Sequence, residues 1–304
     1  MTRFRAPRRS PLPVLAALAA LVLCSASAGA QPLSPALAPP GDALVQATAG
    51  LQEKADVALG ANQYLAVWED GRNMLNGTVS TGGYSTGADD ILAARISASG
   101  QVLDTTPIPV AMLPFAQENP RAAWNGAAWL VVFESRRVTQ FSTTRGIYGV
   151  RVSGAGQVLD DPPILIDDTD DVDEFHPAVA SDGNGWVVAW EDYDTTTTIG
   201  SAHAAYVDPA VFVPAKKQLV LATSGFEQPR DIGLAFAQDR FLMVSEHLGP
   251  TVWGPHALFF DSSLNAIGSE FALDGGDKPS VASNGSSFFA TSNNGSTKGT
   301  PILL

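Results

Sequence analysis

The feature that most constrains this chain is a short apolar motif that recurs along it. The clearest copy is WVVAWED at 186–192, which follows a polar turn containing two glycines. Two strong echoes lie at 64–70 and 129–135, and two weaker ones lie at 241–247 and 288–294. The fifth residues of successive copies are 65, 57, 55 and 47 residues apart. A period of this length is typical of a repeated supersecondary unit, which has to be recognised before a fold is assigned.

The surrounding sequence indicates that each unit consists of β-strands. Apolar runs are short, rich in β-branched and aromatic residues, and bounded by Gly, Asn, Asp and Pro. No long segment keeps the i, i+3, i+4, i+7 pattern of a helix. Each unit divides into a first strand of small residues such as 178–180, the motif as second strand, a third strand clearest at 90–97 and 146–153, and a fourth. Four strands per period predict the blades of a β-propeller.

The fifth unit is short of a fourth strand, and the other end of the chain supplies a candidate. Residues 47–59 align without gaps to 222–234, which run from the fourth strand of one unit into the first strand of the next. Residues 43–48 are therefore predicted to complete the last blade. The fold predicted is all-β, a five-bladed β-propeller of four-stranded antiparallel blades closed by the N-terminal strand. The alternative is an open or truncated array.

The N-terminal region predicts export. Residues 1–30 have a basic start, an apolar run and a small-residue cleavage site, as in a signal peptide. Residues 31–42 form a flexible, Pro-rich lead-in, and 43–304 form a single propeller domain. Cys24 is the only cysteine, so the mature chain relies on its core rather than on disulfides. We expect a secreted, cell-surface or periplasmic protein, with a lipid anchor at Cys24 as the minor alternative because Leu23 departs from lipoprotein signals.

The charge of the chain bears on its partners. The chain carries a net charge of −13, and loss of the four signal arginines leaves 14 basic and 31 acidic residues, a net charge of −17. This charge disfavours nucleic acids and anionic membranes. We expect a glycan or protein ligand, no integral membrane segment after signal removal, and a monomer. No cofactor is predicted, with Ca²⁺ as an alternative.

Two patterns carry a resemblance to known proteins. PAVAxxGxGWVVxWED at 177–192 and IYxxRVSxxGxVLD at 147–160 resemble the repeats of secreted bacterial β-propeller proteins, many of them uncharacterised. The resemblance implies the fold and export, and it transfers no catalytic residue. It also implies that the loops after the second strands and the loops between blades share one face.

Long, polar loops on that face are the predicted binding surface. The loops after the second strands span 70–89, 135–145, 192–201 and 247–254. They carry aromatic side chains suited to stacking on a sugar or gripping a peptide, namely Tyr84, Phe141, Tyr193 and Trp253. The motif aromatics are predicted to lie in the core between blades instead: Trp68, Phe133 and Trp190.

A glutamate ends the second strand in four units: Glu69, Glu134, Glu191 and Glu246. One interpretation is a carboxylate collar that binds a cation or a sugar, and Glu69, Glu134 and Glu191 are therefore candidate binding residues. The other is a repeated structural role, as an acceptor for loop N–H groups or as a partner for Arg95 and Arg151. Repetition favours the structural role, because a catalytic group is normally needed once.

Two hypotheses for function follow. The first is a non-enzymatic binding module that presents its loops to a glycan or protein. The alternative is a hydrolase of an extracellular polysaccharide, since five-bladed glycosidases use carboxylates near the channel as acid and base or nucleophile. Its candidate catalytic residues are Asp56, Asp231 and Glu246. Asp56 and Asp231 occupy matching places in the alignment of repeats.

Metal binding has little support from motifs. The acidic run that starts at Asp167 lacks the spacing and the glycine of a Ca²⁺ loop, so its members are weak candidates: Asp167, Asp168, Asp170 and Asp171. The histidines are scattered, without a His-x-His or His-Glu-x-x-His spacing: His176, His203, His247 and His256.

Overall fold

A computed structural model describes residues 52–71, 89–136, 144–169, 172–194, 196–197, 199–218, 228–248, 253–293 and 297–302. Within them the chain forms five antiparallel sheets, four of four strands and one of three. The described part of the chain contains no helix of the length and apolarity that crossing a membrane requires. The prediction of an all-β chain with four-stranded antiparallel units is confirmed.

Each sheet is a simple meander in which consecutive strands pair. The first sheet contains β1 (Gln52–Gly60), β2 (Gln63–Asp70), β3 (Asp90–Ser97) and β4 (Ile108–Ala111). The second contains β5 (Gln117–Trp124), β6 (Ala128–Arg136), β7 (Arg145–Ser153) and β8 (Ile164–Asp167). The third contains β9 (Val172–Ser181), β10 (Trp186–Asp194), β11 (Gly200–Asp208) and β12 (Val211–Gln218). The fourth contains β13 (Gln228–Ala237), β14 (Arg240–Leu248), β15 (Trp253–Phe260) and β16 (Phe271–Ala272). The fifth contains β17 (Asp277–Ser283), β18 (Phe288–Asn293) and β19 (Thr297–Ile302).

The first strands of successive sheets lie against one another. β1 contacts β5, β5 contacts β9, β9 contacts β13, and β13 contacts β17. Within the described residues, no contact of similar extent joins β17 to β1. The strand predicted at 43–48, which would close such a ring, lies outside the described residues.

The core lies between neighbouring sheets, and strand alternation explains it. In β6, Trp129, Val131 and Phe133 pack toward the first sheet, whereas Leu130 and Val132 pack toward the third. Because both faces of a second strand are covered, its sequence is apolar throughout rather than alternating. The recurring motif is therefore the element that each sheet buries on both sides.

Two of the three predicted core aromatics are fully buried, Phe133 and Trp190. Trp68 is half-buried, and its indole N–H donates to Asp70 at 3.2 Å. Leu65 and Val67 of β2 pack toward the second sheet, so Trp68, at the alternate position, faces the other way. Among the described residues Trp68 is not fully enclosed, unlike Trp190, so the prediction that it lies in a core between two sheets is not confirmed.

Candidate functional site

The four repeated glutamates are buried at the boundaries between sheets, and each accepts a backbone N–H from the next sheet. Glu69 Oε1 accepts the N–H of Asn119 at 2.6 Å, and Glu134 Oε2 accepts that of His176 at 2.8 Å. Glu191 Oε1 accepts the N–H of Asp231 at 2.7 Å, and Glu246 accepts that of Lys278. The carboxylates therefore join consecutive sheets, in the structural role considered from their repetition.

Each N–H donor is the first residue of a two-residue bulge in a first strand. We name this place the bulge position, and its φ lies between 50° and 55° in all five sheets: Lys54, Asn119, His176, Asp231 and Lys278. A positive φ is unfavourable for residues other than glycine. The bulge removes the N–H from its own ladder, and the glutamate of the preceding sheet supplies the acceptor that this N–H needs.

The third-strand arginines have other partners. Arg95 pairs with Asp104 at 2.7 Å and Arg151 pairs with Asp160 at 2.8 Å. Each arginine also donates to a carbonyl of the next sheet's turns, Arg95 to Gly154 at 3.2 Å and Arg151 to Pro209 at 3.0 Å. Of the two structural roles considered for the glutamates, pairing with these arginines is therefore not observed, because the Asp of the VLD sequence in the same sheet binds each guanidinium.

In three sheets the side chain at the bulge position also bonds to the glutamate of its own sheet. Lys54 Nζ lies 3.3 Å from Glu69 Oε1. Asn119 Nδ2 donates to Glu134 Oε1 at 2.7 Å, and His176 Nδ1 lies 3.2 Å from Glu191 Oε1. All three are nitrogen groups that reduce the cost of burying a carboxylate.

The fourth sheet breaks this rule, because its bulge position holds Asp231. A carboxylate has no hydrogen to donate to Glu246 when it is ionised. Burial raises the pKa of Glu246, and the negative charges of Asp231 and Asp277 raise it further. Asp231 itself is exposed. The fourth sheet therefore places two carboxyl groups where the first three place one carboxyl group and a nitrogen group.

The strand registers correct the alignment that matched Asp56 to Asp231. Glu53 pairs with Glu69 and Arg230 pairs with Glu246, so the residue equivalent to Asp231 is Lys54. Asp56 lies two residues further along, and its carboxylate accepts the N–H of Ala122 at 2.9 Å. The alignment was wrong by two residues. Asp231 is consequently not a repeated residue but a singular one.

Asp231 opens into a cavity of about 340 Å³ between the third and fourth sheets. Its lining includes Phe175, His176, Glu191, Tyr193, Arg230 and Asp231. Three residues singled out in the sequence therefore meet here, namely Glu191, Tyr193 and Asp231. The cavity lies in the size range of small-molecule sites, which combine a few aromatic and polar groups.

The remaining candidates lie elsewhere. Glu69 and Asp56 lie at the boundary between the first and second sheets. Glu134 lies at the boundary between the second and third sheets. Glu246 lies at the boundary with the fifth sheet, outside the cavity lining. Trp253 begins β15 and is 66% exposed. Tyr84 and Phe141 lie outside the described residues.

The carboxyl group of Glu191 differs in environment from that of Asp231. Burial raises the pKa of Glu191, although the bonds to His176 and to the Asp231 N–H oppose this effect. The hydrogen bond to Glu191 raises the pKa of His176 in turn. A pair of groups with raised pKa values, Glu191 and His176, thus lies beside the exposed carboxyl group of Asp231, as in sites that separate acid and base roles.

Buried glutamates with raised pKa values give the protein a defined response to pH. Burial raises the pKa of Glu69, Glu134, Glu191 and Glu246 above 4.5, and Glu191 raises that of His176 above 6.5. At any pH between the ordinary pKa of a group and its raised pKa, the folded state binds more protons than the unfolded state. The free energy of unfolding should therefore rise as pH falls from the raised pKa values toward the ordinary ones, by up to ~1.4 kcal/mol per pH unit for each extra proton. Urea unfolding in metal-free buffer measures this rise.

The matched variant for this measurement is Glu191→Gln, which keeps an acceptor oxygen but cannot titrate. Its unfolding free energy should depend less steeply on pH than that of the unmodified protein. A free energy of unfolding that decreases as pH falls over this interval in the unmodified protein would contradict raised pKa values for the buried glutamates.

A second cluster of ionisable groups lies between the second and third sheets. Asp167 ends β8, Glu174 lies in β9, Asp192 in β10 and His203 in β11. One ligand atom from each of Asp167, Asp192 and His203 lies within 4.8 Å of the others, and His203 Nδ1 contacts Asp192 Oδ2. Burial, followed by the charges of Asp167 and Asp192, raises the pKa of Glu174 to about 9 against the opposing Thr169 N–H bond.

A similar group occurs in the fourth sheet, where His247 and His256 stack at 4.4 Å beside Glu270. His256 pairs with Ser245 as His203 pairs with Trp190, and both partners are the fifth residue of the motif. Two histidines without a metal-binding spacing in the sequence, His247 and His256, therefore lie together in the structure. The signal lay in equivalent positions of the repeat, which were obscured because the third strands of these two sheets lack the arginine motif.

Among the weak calcium candidates, Asp167 belongs to the cluster between the second and third sheets. Asp168 follows it at the end of β8, and one of its carboxylate oxygens is buried. Asp170 and Asp171 lie outside the described residues. The acidic run therefore contributes to this cluster through its first residue and through Glu174.

The sequence matches no family model and no curated protein. Solved structures do resemble it. Sucrose-6-phosphate hydrolase from Lactobacillus gasseri is 10% identical with a TM-score of 0.52, covering 80% of this chain and 53% of that one. An N-acetylgalactosamine deacetylase from F. plautii, in complex with blood group B trisaccharide, is 11% identical with a TM-score of 0.50, covering 80% of each chain.

A subtype N10 neuraminidase-like protein of A/little yellow-shouldered bat/Guatemala/060/2010 is 13% identical with a TM-score of 0.46, covering 74% of this chain. This chain spans 59% of that protein. At such identities the similarity concerns the fold alone. Together with the meander sheets stacked through their first strands, the similarity to the sucrose-6-phosphate hydrolase and the deacetylase supports the predicted β-propeller class.

Proposed function

We propose that the protein acts on a carbohydrate as a glycosidase-like hydrolase, in the cavity between the third and fourth sheets. The observation that carries this proposal is the identity of Asp231. At the bulge position of the first three sheets, a nitrogen group bonds to the repeated glutamate, whereas Asp231 adds negative charge beside Glu246. A residue that breaks a local rule at a cost to stability is typical of a functional site.

The cavity contains the groups that glycoside hydrolysis needs. Glu191 is buried with a raised pKa, which suits a general acid. Asp231 is exposed at the cavity, which suits the carboxylate that acts as base or nucleophile. His176 bonds to Glu191 and positions it. Tyr193 and Phe175 offer rings for sugar contacts, and Arg230 offers hydrogen-bond donors.

Proteins of the same fold support the substrate class. The names of two of them, a sucrose-6-phosphate hydrolase and a deacetylase in complex with a blood group trisaccharide, refer to carbohydrate chemistry. The proposed substrate is accordingly an oligosaccharide or polysaccharide, and the particular sugar is left to experiment.

The proposed context is an exported, monomeric, five-bladed propeller in one domain. Residues 1–30 direct export, with lipid attachment at Cys24 as the alternative to free secretion. Residues 43–48 supply the fourth strand of the fifth sheet and thereby close the ring. This arrangement gives the three-stranded fifth sheet a partner and leaves no sheet edge open.

A non-enzymatic glycan- or protein-binding module is the second candidate. One observation favours it: Glu191 Oε1 already accepts the N–H of Asp231 and contacts His176, as the other repeated glutamates do at their own boundaries. A carboxyl group with these hydrogen bonds has a structural role, because it joins two sheets. The same cavity and exposed aromatic residues would then bind a ligand without turnover.

A panel of defined oligosaccharides and bacterial polysaccharides separates these functions. The purified protein is incubated with each, products are followed by chromatography, and binding is read on a glycan array. We expect cleavage of at least one sugar class. Saturable glycan binding without product would favour the binding module, and the absence of both would contradict a carbohydrate function. Asp56→Asn is the matched control, because Asp56 lies outside the cavity lining.

A further inference from the structure

The cluster between the second and third sheets brings together more carboxyl groups than basic groups. Asp167, Glu174 and Asp192 bring three carboxyl groups together with one imidazole, His203. Glu174 is 0% exposed. Its Oε1 accepts the N–H of Thr169 at 2.9 Å, but no hydrogen-bond donor reaches its buried Oε2. A buried carboxylate oxygen without a partner is costly.

The surroundings of Glu174 Oε2 consist of further metal-ligating groups. The Glu174 carboxyl group lies within hydrogen-bonding reach of Asp167 and close to Asp192, its partner across β9 and β10. The ligand atoms of Asp167, Asp192 and His203 converge within 4.8 Å. Oxygen and nitrogen ligands from β8, β10 and β11 therefore converge, and Glu174 of β9 lies beside them.

We propose that this cluster binds a divalent transition-metal ion of the Zn²⁺ or Mn²⁺ class. Two positive charges would offset the excess of carboxylates and give Glu174 Oε2 its missing partner. Imidazole together with carboxylates suits these ions, whereas Ca²⁺ takes six to eight oxygen ligands. The ion would join the last strand of the second sheet to three strands of the third. Asp192 also lines the cavity that contains Asp231, but the proposed metal site does not depend on the proposed hydrolysis.

Metal-dependent stability tests the proposal in the whole protein. After treatment with a chelator, addition of Zn²⁺ or Mn²⁺ should restore one bound ion per cluster, and a hundredfold excess of free ion over Kd should raise Tm by about 5–10 °C. Trp190 gives a local signal, because its ring centre lies 6.2 Å from that of His203. Paramagnetic Mn²⁺ should therefore quench the tryptophan fluorescence of Trp190. This part of the quenching should be absent in the Trp190→Phe variant.

Three variants assign the ion to this cluster. Glu174→Gln keeps the size of the side chain and the Thr169 bond but removes a charged ligand, so it should fold without metal and bind the ion at least about tenfold more weakly. His203→Gln should weaken binding similarly. Glu69→Gln is the matched control, since Glu69 is also a buried glutamate with a backbone N–H partner, and it should keep the full response.

Other outcomes overturn the proposal. No rise in Tm with either ion, or an equal rise in Glu174→Gln and the unmodified protein, would exclude a metal at this cluster. Loss of binding in His256→Gln with full binding in His203→Gln would place the ion in the fourth sheet instead. A response to Ca²⁺ alone would contradict the assignment to the transition-metal class.

Discussion

Replacement of Glu134 by alanine should lower the free energy of unfolding by about 3–5 kcal/mol. Glu134 is buried between the second and third sheets and accepts from His176 N–H at 2.8 Å and from Asn119 Nδ2 at 2.7 Å. Arg145 Nε lies 3.6 Å away. The truncation removes the acceptor for two buried donors and the charge beside a guanidinium, so the loss exceeds that of one hydrogen bond.

Equilibrium urea unfolding measures this loss, with Glu134→Gln as the control. The amide of glutamine keeps an acceptor oxygen, so its effect should be smaller than that of alanine. Unfolding free energies of Glu134→Ala and the unmodified protein that agree within about 1 kcal/mol would contradict the role of the repeated glutamates as links between sheets.

Replacement of Asp231 by asparagine should reduce hydrolysis about 10²- to 10⁴-fold, the usual contribution of a positioned acid or base. Folding should be preserved, because the Asp231 N–H still donates to Glu191 and the side chain is exposed. Removal of negative charge near Glu246 should also leave the protein equally or more stable. The rate is measured on the sugar identified by the panel, and thermal unfolding is measured in parallel.

The comparison variant is Asp56→Asn, which tests the other candidate aspartate. Because the Asp56 carboxylate accepts the N–H of Ala122, this variant should lower stability and leave the catalytic rate of the folded fraction unchanged. A full rate in Asp231→Asn with a lost rate in Asp56→Asn would place the chemistry at the other aspartate.

The period of the motif was sufficient to predict the strands, because burial on both faces leaves a continuous apolar run. Phe133 and Trp190 follow this logic, and so does the all-β architecture. The glycine turns also follow from sequence, since Gly126 and Gly183 have φ values of 99° and 90° and few other residues tolerate such values. These features depend on neighbours within one unit.

Interactions between units were harder to predict. Nothing in the sequence marks the bulge at Lys54, so a gapless alignment matched Asp56 to Asp231 and concealed the singular residue. The partners of Glu134 lie 15 and 42 residues away, beyond any local pattern. The cluster around Glu174 contains side chains from two sheets, and its members show no common spacing along the chain.

A reciprocal exchange at the bulge position tests the central claim most directly. The claim is that Asp231 lowers stability at a position where the first three sheets place a stabilising nitrogen group. Thermal and urea unfolding are measured for Asp231→Lys and for Lys54→Asp. Asp231→Lys should raise the free energy of unfolding and Lys54→Asp should lower it, each by about 1 kcal/mol at low salt. Destabilisation by Asp231→Lys equal to that of Lys54→Asp would contradict the account, because it would show that Asp231 serves stability as the other bulge residues do.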